Sequence, residues 1–368
     1  MKQLCMAGVL VLGSACAVQK ADEDMIPVAK AITIYSAGGS VVSGIIDTTA
    51  VGARRLRLPA TAAAINLSQG DESLKWFTVQ ASDEPKKDDT KKPEETYKLI
   101  GLPELKPGVL RFNYALPDIT WSLQLRAEIV DPKSVSLQLL AAVNMNANEP
   151  YKSCNVTLVL NNAVSVDKLS GSTFNLSSFD LYPHRNITYN LGNHVTDYSF
   201  IREWNAYAGK DEVHVLMQVK NPFSVDLNQT SSSVEANQII VESGTISDQS
   251  RAGEVVSLPA GIDDTISTFR AIKITEATDK RALPFNHHVT YDIINHSDQP
   301  KTLRLVTSRV LGNEHRSVYH YTVPPDATPE NTLVWILKLD PGATRTLEYD
   351  FDADIKDVEG ENGFEQGG

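Results

Sequence analysis

Alternation with a period of two constrains this chain more than any other feature. In the stretch WSLQLRAEI, Trp121, Leu123, Leu125, Ala127 and Ile129 fall on one side, and Ser122, Gln124, Arg126 and Glu128 on the other. The pattern returns in Val135, Leu137, Leu139, Ala141 and Val143, and in Cys154, Val156, Leu158 and Leu160. It returns again in Val213, Val215, Met217 and Val219, and in Leu333, Trp335, Leu337 and Leu339. Successive side chains of a strand point to opposite faces, so these segments predict half-buried antiparallel strands. Turn chemistry separates them: DPKS from Asp131, NANEP from Asn146, KNPF from Lys220 and DPGA from Asp340. Strands recur every 10 to 15 residues or so, the rhythm of sandwiches. The predicted class is all-β, built as multi-domain antiparallel β-sandwiches, with no substantial helix apart from a signal peptide.

A length of 368 residues suits two to four β domains, and an apolar fraction of 42% suffices for a core. The net charge of −12 argues against nucleic acid and against an anionic membrane surface as partners. Lys2, the apolar run LCMAGVLVL over 4–12 and the small residues Ala15, Cys16 and Ala17 read as an export signal over 1–17, with cleavage set by Ala15 and Ala17. The run falls far short of the roughly 20 residues that span a bilayer. Cys16 supports a second reading, lipidation after Ser14 and Ala15, although Gly13 stands where a lipoprotein signal usually has leucine. With Cys5 and Cys16 in the signal, Cys154 alone remains for the folded body, so no disulfide framework is expected.

The organisation that follows is a small N-terminal β domain over 18–81, a charged linker over 82–97 and a β-sandwich region of two or more sub-domains over 98–355. A disordered tail is expected over 356–368. In the first block, AITIYSAGGSVVSGII reads as two strands around a Gly38–Gly39 turn, and LKWFTV closes it. The linker SDEPKKDDTKKPEET is nearly all charge and proline.

Several segments together resemble the domain shared by mucoidy-inhibitor-like exported proteins. FNYALPDITWSLQLRAEI, VSLQLLAAVNMNANEP and NVTLVL are similar to its opening, through Trp121, Val143 and Asn144. LPAGIDDTISTFRAIKI resembles its Gly-x-Asp segment. HHVTYDIINHSDQPKTLRLV resembles its Tyr-x-Ile-x-Asn hairpin, through Tyr291, Ile293 and Asn295. TLVWILKLDPGATRTLEYDF resembles its closing hairpin, through Trp335, Leu337, Leu339, Pro341 and Gly342, and ITIYSAGGSVVSG resembles the small β domain that precedes it. The resemblance implies an exported β protein and imports no activity, because the shared C-terminal domain is of unknown function. Family members usually carry a helical coiled coil where this chain has only the charged run.

The residues that invite chemistry have plainer readings. His287, His288 and His296 look like a metal cluster, yet on a strand His287 and His288 face opposite ways and His296 falls in the turn. Asp350, Asp352, Asp354 and Glu361 copy the carboxylate spacing of a calcium loop, but Ile355 stands where Gly is needed and Asp357 where an apolar residue is usual. His315 and His320 are five apart, the wrong spacing for a helical zinc motif. Asp263 and Asp264 read as a turn cap, since adjacent carboxylates diverge. Cys154 alternates with apolar residues and reads as an inert buried thiol. Six sequons begin at Asn66, Asn155, Asn175, Asn186, Asn228 and Asn295; roughly three would arise by chance. No nucleophile elbow, zinc-protease motif, phosphate loop or paired-cysteine motif occurs.

The expected function is that of a non-enzymatic exported protein of the cell envelope or extracellular space, acting by binding or structural interaction. Its partner would be an envelope or extracellular protein or polysaccharide, with Tyr319 and Tyr321 as contact residues. No cofactor or metal is expected, and membrane contact only through an anchor at Cys16. The competing expectation is a hydrolase or carbohydrate-active enzyme whose site is assembled from distant strands.

Overall fold

The computed structural model describes residues 25–48, 55–70, 72–81, 97–103, 107–160, 172–207, 211–246, 250–277, 283–309, 317–329 and 331–354. The signal with Ala15, Cys16 and Ala17, the charged run 82–96, His315, and the tail with Glu361 lie outside them. Among the described residues there are twenty-three strands and no helix. In chain order they are β1 (Val28–Tyr35), β2 (Ser40–Asp47), β3 (Arg55–Pro59), β4 (Ala63–Gln69), β5 (Glu72–Ser73), β6 (Thr78–Ala81), β7 (Tyr97–Gly101) and β8 (Val109–Leu116). There follow β9 (Ile119–Ile129), β10 (Ser134–Met145), β11 (Tyr151–Leu160), β12 (Ser172–Leu181), β13 (Arg185–Asn205), β14 (His214–Lys220), β15 (Ser231–Ala236) and β16 (Ile239–Thr245). The last are β17 (Val255–Ile262), β18 (Ile266–Glu276), β19 (Phe285–Asn295), β20 (Lys301–Ser308), β21 (Ser317–Tyr321), β22 (Thr332–Leu339) and β23 (Thr344–Ala353). The all-β, sandwich-like class expected from the alternation is the class observed. Most pairings are antiparallel, but β1 pairs with β11, β9 with β15 and β13 with β20 in parallel. Among the described residues each parallel return runs through intervening strands rather than the usual crossover helix.

The described residues form two compact units. The first holds those up to Trp121 together with Val143–Asn186; the second holds Ser122–Ala142 and those from Ile187 onward. In the first unit a seven-stranded sheet runs β12-β11-β1-β2-β8-β4-β5, beside a three-stranded sheet β3-β7-β6. The β1–β2 hairpin turns at Gly38 and Gly39, both with positive φ (107° and 78°), as the Gly-Gly pair predicted. β2 then pairs with β8 from Ser40↔Leu116 to Asp47↔Val109, and β1 with β11 from Ala31↔Asn155 to Tyr35↔Val159. Strands before and after the charged run therefore share one sheet, and the sequence boundary at 82–97 does not separate sheets. Hydrophobic alternation fixes which face of a strand is buried; it does not say which strands become neighbours. Ile32, Ile34, Val42, Phe112, Leu116, Val156 and Leu158 fill the inner positions and are all buried. Trp76 of LKWFTV, expected to close the block, is 61% exposed and precedes β6.

In the second unit the strand path β16-β15-β9-β10-β13-β14-β17 bends so that its two ends meet: a Cβ on Gly244 of β16 would lie 2.7 Å from the Pro259 ring of β17. The DPKS turn between β9 and β10 is held by Asp131, whose Oδ1 accepts from the amides of Lys133 (2.8 Å) and Ser134 (2.9 Å). β20 extends this sheet beside β13, and β22 pairs with β20. A separate four-stranded sheet, β18-β19-β23-β21, packs on that extension as the second layer of a sandwich. Its core joins Val289, Tyr291, Ile293, Leu347, Tyr349 and Phe351 to Trp204, Leu303, Leu305, Leu333, Trp335, Leu337 and Leu339. Trp204 meets Tyr291 edge-on at 5.4 Å, and Trp335 stacks on Tyr349 at 5.6 Å.

Asn295 closes the end of this sandwich. It is fully buried. Its Nδ2 donates to the carbonyls of Gln299 (2.9 Å), Leu339 (3.3 Å) and Asp340 (3.1 Å), and its Oδ1 accepts from Ser297 N (3.1 Å) and Oγ (2.7 Å). One amide thus ties the β19–β20 turn to the β22–β23 turn. Removing it strands several buried partners, so Asn295→Ala is expected to cost about 2–3 kcal/mol. Urea unfolding should show a lower midpoint with an unchanged slope.

Candidate functional site

The described residues singled out in the sequence lie in the second unit, apart from Cys154 and some of the sequons. The structure separates the three histidines of β19 and its turn. His287 is buried, its ring stacked on Phe351 at 4.4 Å and 3°. His288 is on the solvent face, with Nδ1 2.9 Å from Asp350 Oδ1. His296 Nε2 lies 2.8 Å from Ser267 Oγ. The pleat dictates this outcome: His287 shares the inner face with Val289, Tyr291 and Ile293, and His288 shares the outer face with Thr290 and Asp292.

Asp350 and Asp352 line the outer face of β23 while Leu347, Tyr349 and Phe351 are buried beneath. They pair with side chains of neighbouring strands rather than forming a calcium loop. Asp352 accepts from Asn286 Nδ2 (3.0 Å) and lies 3.4 Å from His320 Nε2. Tyr319 and Tyr321, expected as contact residues, belong to the inner side of β21. Their rings stack at 5.6 Å, and Tyr319 stacks on Phe351 at 5.1 Å. They pack against the core yet stay partly exposed, because β21 is an end strand and its inner face is only half covered. Among the described residues no three His, Cys, Asp or Glu side chains are arranged to hold a metal ion in common.

Asp263 and Asp264 diverge, the first buried and the second exposed. Asp263 caps the β17–β18 turn by accepting from Thr265 N (3.2 Å) and Oγ1 (2.6 Å). It also binds Lys301 of β20, whose Nζ is 2.7 Å from both carboxylate oxygens, and Arg202 of β13. Sequence spacing gave no signal of these two cations, which come from 38 and 61 residues away. Burial pushes the Asp263 carboxyl up, but the hydrogen bonds from Lys301, Thr265 and Arg202 outweigh it and hold the group well below the usual carboxylate range. Such a carboxylate is saturated with donors and is a poor general base or nucleophile.

In the first unit, Cys154 is buried, and burial pushes its thiol up. Its Sγ contacts the carbonyl of Ala29 at 3.4 Å. The thiolate that nucleophilic chemistry needs is therefore disfavoured. The sequon asparagines Asn66, Asn155, Asn175, Asn186 and Asn228 are exposed, but Asn295 is closed off by its own hydrogen bonds. A shallow pocket of about 110 Å³ lies between the β3–β4 turn and the β10–β11 turn, lined in part by Thr61, Asp118, Asn146, Asn148 and Glu149. Thr61 Oγ1 donates to Asp118. This volume falls below the roughly 300 Å³ at which small-molecule sites begin.

No protein-family model matches the chain, and no curated protein matches it.

Two outcomes are expected. Asp263→Asn would leave Lys301 and Arg202 underpaired in a buried setting, a loss of about 3–5 kcal/mol at neutral pH. Because the folded carboxyl titrates below its ordinary 3.8, its contribution is complete above that value and is lost as pH falls toward the folded value. Urea titrations from pH 7 to pH 3 should therefore show a shallower acid decline in the variant than in the parent. Cys154 should resist a water-soluble disulfide reagent in the native protein and react fully on unfolding; prompt native reaction would contradict its burial.

Proposed function

We propose that this chain is an exported β protein of the cell envelope or extracellular space that acts by binding or structural interaction rather than by turnover. One observation carries the reading: the groups with chemical potential are tied into the framework. His287 is stacked in a core, Asp263 is saturated by two cations and a threonine, Cys154 is a buried thiol, and Asn295 is saturated by turn backbone and Ser297. The export part rests on the N-terminal signal pattern and on the resemblance to mucoidy-inhibitor-like proteins. The buried positions of Tyr291, Ile293, Asn295, Trp335, Leu337 and Leu339 fit a likeness made of fold-determining residues. Among the described residues no helix is long and apolar enough to cross a membrane.

Contact surfaces are available. Ile239, Ile240 and Val241 of β16, at the end of its strand path, are 69%, 61% and 51% exposed. Gly244 near the far end of β16 abuts β17, but among the described residues β16 has no hydrogen-bonded strand on that side, and exposed β-branched residues at its start make a template for another chain. The competing reading, a hydrolase or carbohydrate-active enzyme, is favoured only by Asp118 and Glu149 in the pocket beside Thr61.

One experiment separates the two. The purified chain is incubated with the envelope fraction and with isolated envelope polysaccharide, and both retention and soluble products are measured. Saturable retention without products is expected, reduced several-fold by Ile240→Lys at unchanged melting temperature. Product release that saturates with polymer and is lost in Asp118→Asn would sink the binding reading in favour of the enzyme.

A further inference from the structure

Three of the six sequons share one face of the first unit. In each, the pleat buries the middle residue, Leu67, Val156 or Leu176, and turns the asparagine and the hydroxyl residue outward together. The register of the seven-stranded sheet then joins them. Asn66 of β4 opposes Asn113 of β8, Asn113 opposes Ser43 of β2, Ser43 opposes Ala31 of β1, and Ala31 is aligned with Asn155 of β11. The next rung runs Ala115, Val41, Thr33, Thr157 and Asn175 across β8, β2, β1, β11 and β12. Residues opposed or aligned in a sheet point to the same face. Here it is the face opposite to buried Ile32, Val42, Leu67, Phe112 and Val156. The four asparagines are exposed and the other residues of the two rungs are half-buried.

The chemistry of these rungs is unusual for this chain. Charged residues make up 22% of the sequence, yet none of the ten positions carries a charge. The outer face of the four-stranded sheet, by contrast, gathers Asp292, Glu348, Asp350 and Asp352. Each side-chain amide offers an acceptor oxygen and two N–H donors, and each hydroxyl both donates and accepts. Thr157 Oγ1 donates to Asn175 Oδ1 at 3.1 Å, which orients that amide. Ala31, Ala115 and Val41 leave small apolar areas between the polar groups. Arg111 borders the two rungs on one side and Tyr35 on the other. None of the ten is a tryptophan, tyrosine or arginine, the residues that most often anchor protein–protein contacts.

We propose that this face of the seven-stranded sheet binds a neutral polysaccharide laid across the strands. The inference rests on the binding reading above and names the class of partner. A neutral glycan presents many hydroxyls and no charge, and its rings carry apolar C–H faces. An amide can accept from one hydroxyl of a vicinal pair and donate to the other, and the small apolar residues take the C–H faces. Strands step by about 4.8 Å, close to the advance of one pyranose along an extended glycan, so each strand can meet one sugar. Asn66 and Asn155 lie four strands apart, about 19 Å, so the row spans about four sugars. A sheet face without a cleft suits the side of a polymer rather than an enclosed small molecule. The net charge of −12 disfavours an anionic polymer.

The test runs the full chain in native gels cast with soluble mixed-linkage β-glucan, galactomannan or dextran, all neutral, and with alginate as the anionic polymer. It compares the parent, the double variant Asn113→Ala/Asn155→Ala, and Ile240→Lys. At least one neutral polymer should slow the parent, and alginate should not. The double variant should bind about tenfold more weakly, for two neutral hydrogen bonds lost, while Ile240→Lys binds like the parent. Both asparagines are exposed, so the double variant should keep the parent's melting temperature. Equal retardation of parent and double variant would overturn the proposal, as would retardation by alginate alone or by none of the polymers. Envelope retention that is lost in Ile240→Lys and kept in the double variant would also overturn it, while leaving the general binding reading in place. Intact mass of the protein from its own host should show Asn66, Asn155 and Asn175 unmodified; a glycan attached there would make the face a carrier rather than a receptor and overturn the proposal.

Discussion

The contact between aromatic side chains of two facing sheets holds the sandwich of the second unit together. Trp204 and Trp335 come from one sheet, Tyr291 and Tyr349 from the other, and their rings meet at 5.4 Å and 5.6 Å. Large flat groups bury much apolar area and fix the separation of the layers. Their polar ends must then find partners. Trp335 Nε1 donates to the Val323 carbonyl at 3.0 Å, and the Tyr291 hydroxyl to Thr307 Oγ1 at 3.1 Å. The sandwich is thus held by apolar contact in the middle and by specific polar closure where backbone turns must be satisfied.

That closure explains why several chemically suggestive residues serve structure. Asn295 ties two turns, Asn221 does the same between Val225 and Ser250 through its Nδ2, and Asp263 gathers Lys301, Arg202 and Thr265. Each meets the requirement that a buried polar group be paired. A buried group that is fully paired is also chemically quiet. The same rule leaves the outward face of β23 as the place where charge gathers, because carboxylates without buried partners must face water.

Some of this was legible in the sequence. The opposite orientation of His287 and His288, the outward placement of Asp350 and Asp352, and the turn role of Asp263 all followed from a period of two and from turn chemistry. Lys301 and Arg202 beside Asp263 did not follow, nor did His320 beside Asp350. Each depends on which strand lies next to which, and no local pattern encodes that choice. Tyr319 and Tyr321 carry the same lesson: alternation gives the face, and the neighbouring strands decide how far that face is covered.

The sequence by itself determined that the described residues are all-β, which residues of each strand share a face, and where turns such as Gly38–Gly39 fall. These are properties of a few neighbouring residues, set by the pleat and by backbone sterics. Only the tertiary structure decided that β1 lies parallel to β11 across the charged run, that β13 and β20 pair in parallel, and that β19, β23 and β21 stand side by side. Those arrangements are set by competition among many strands with similar apolar faces. A strand's pattern states only that it must be covered, and packing of the whole chain decides by what.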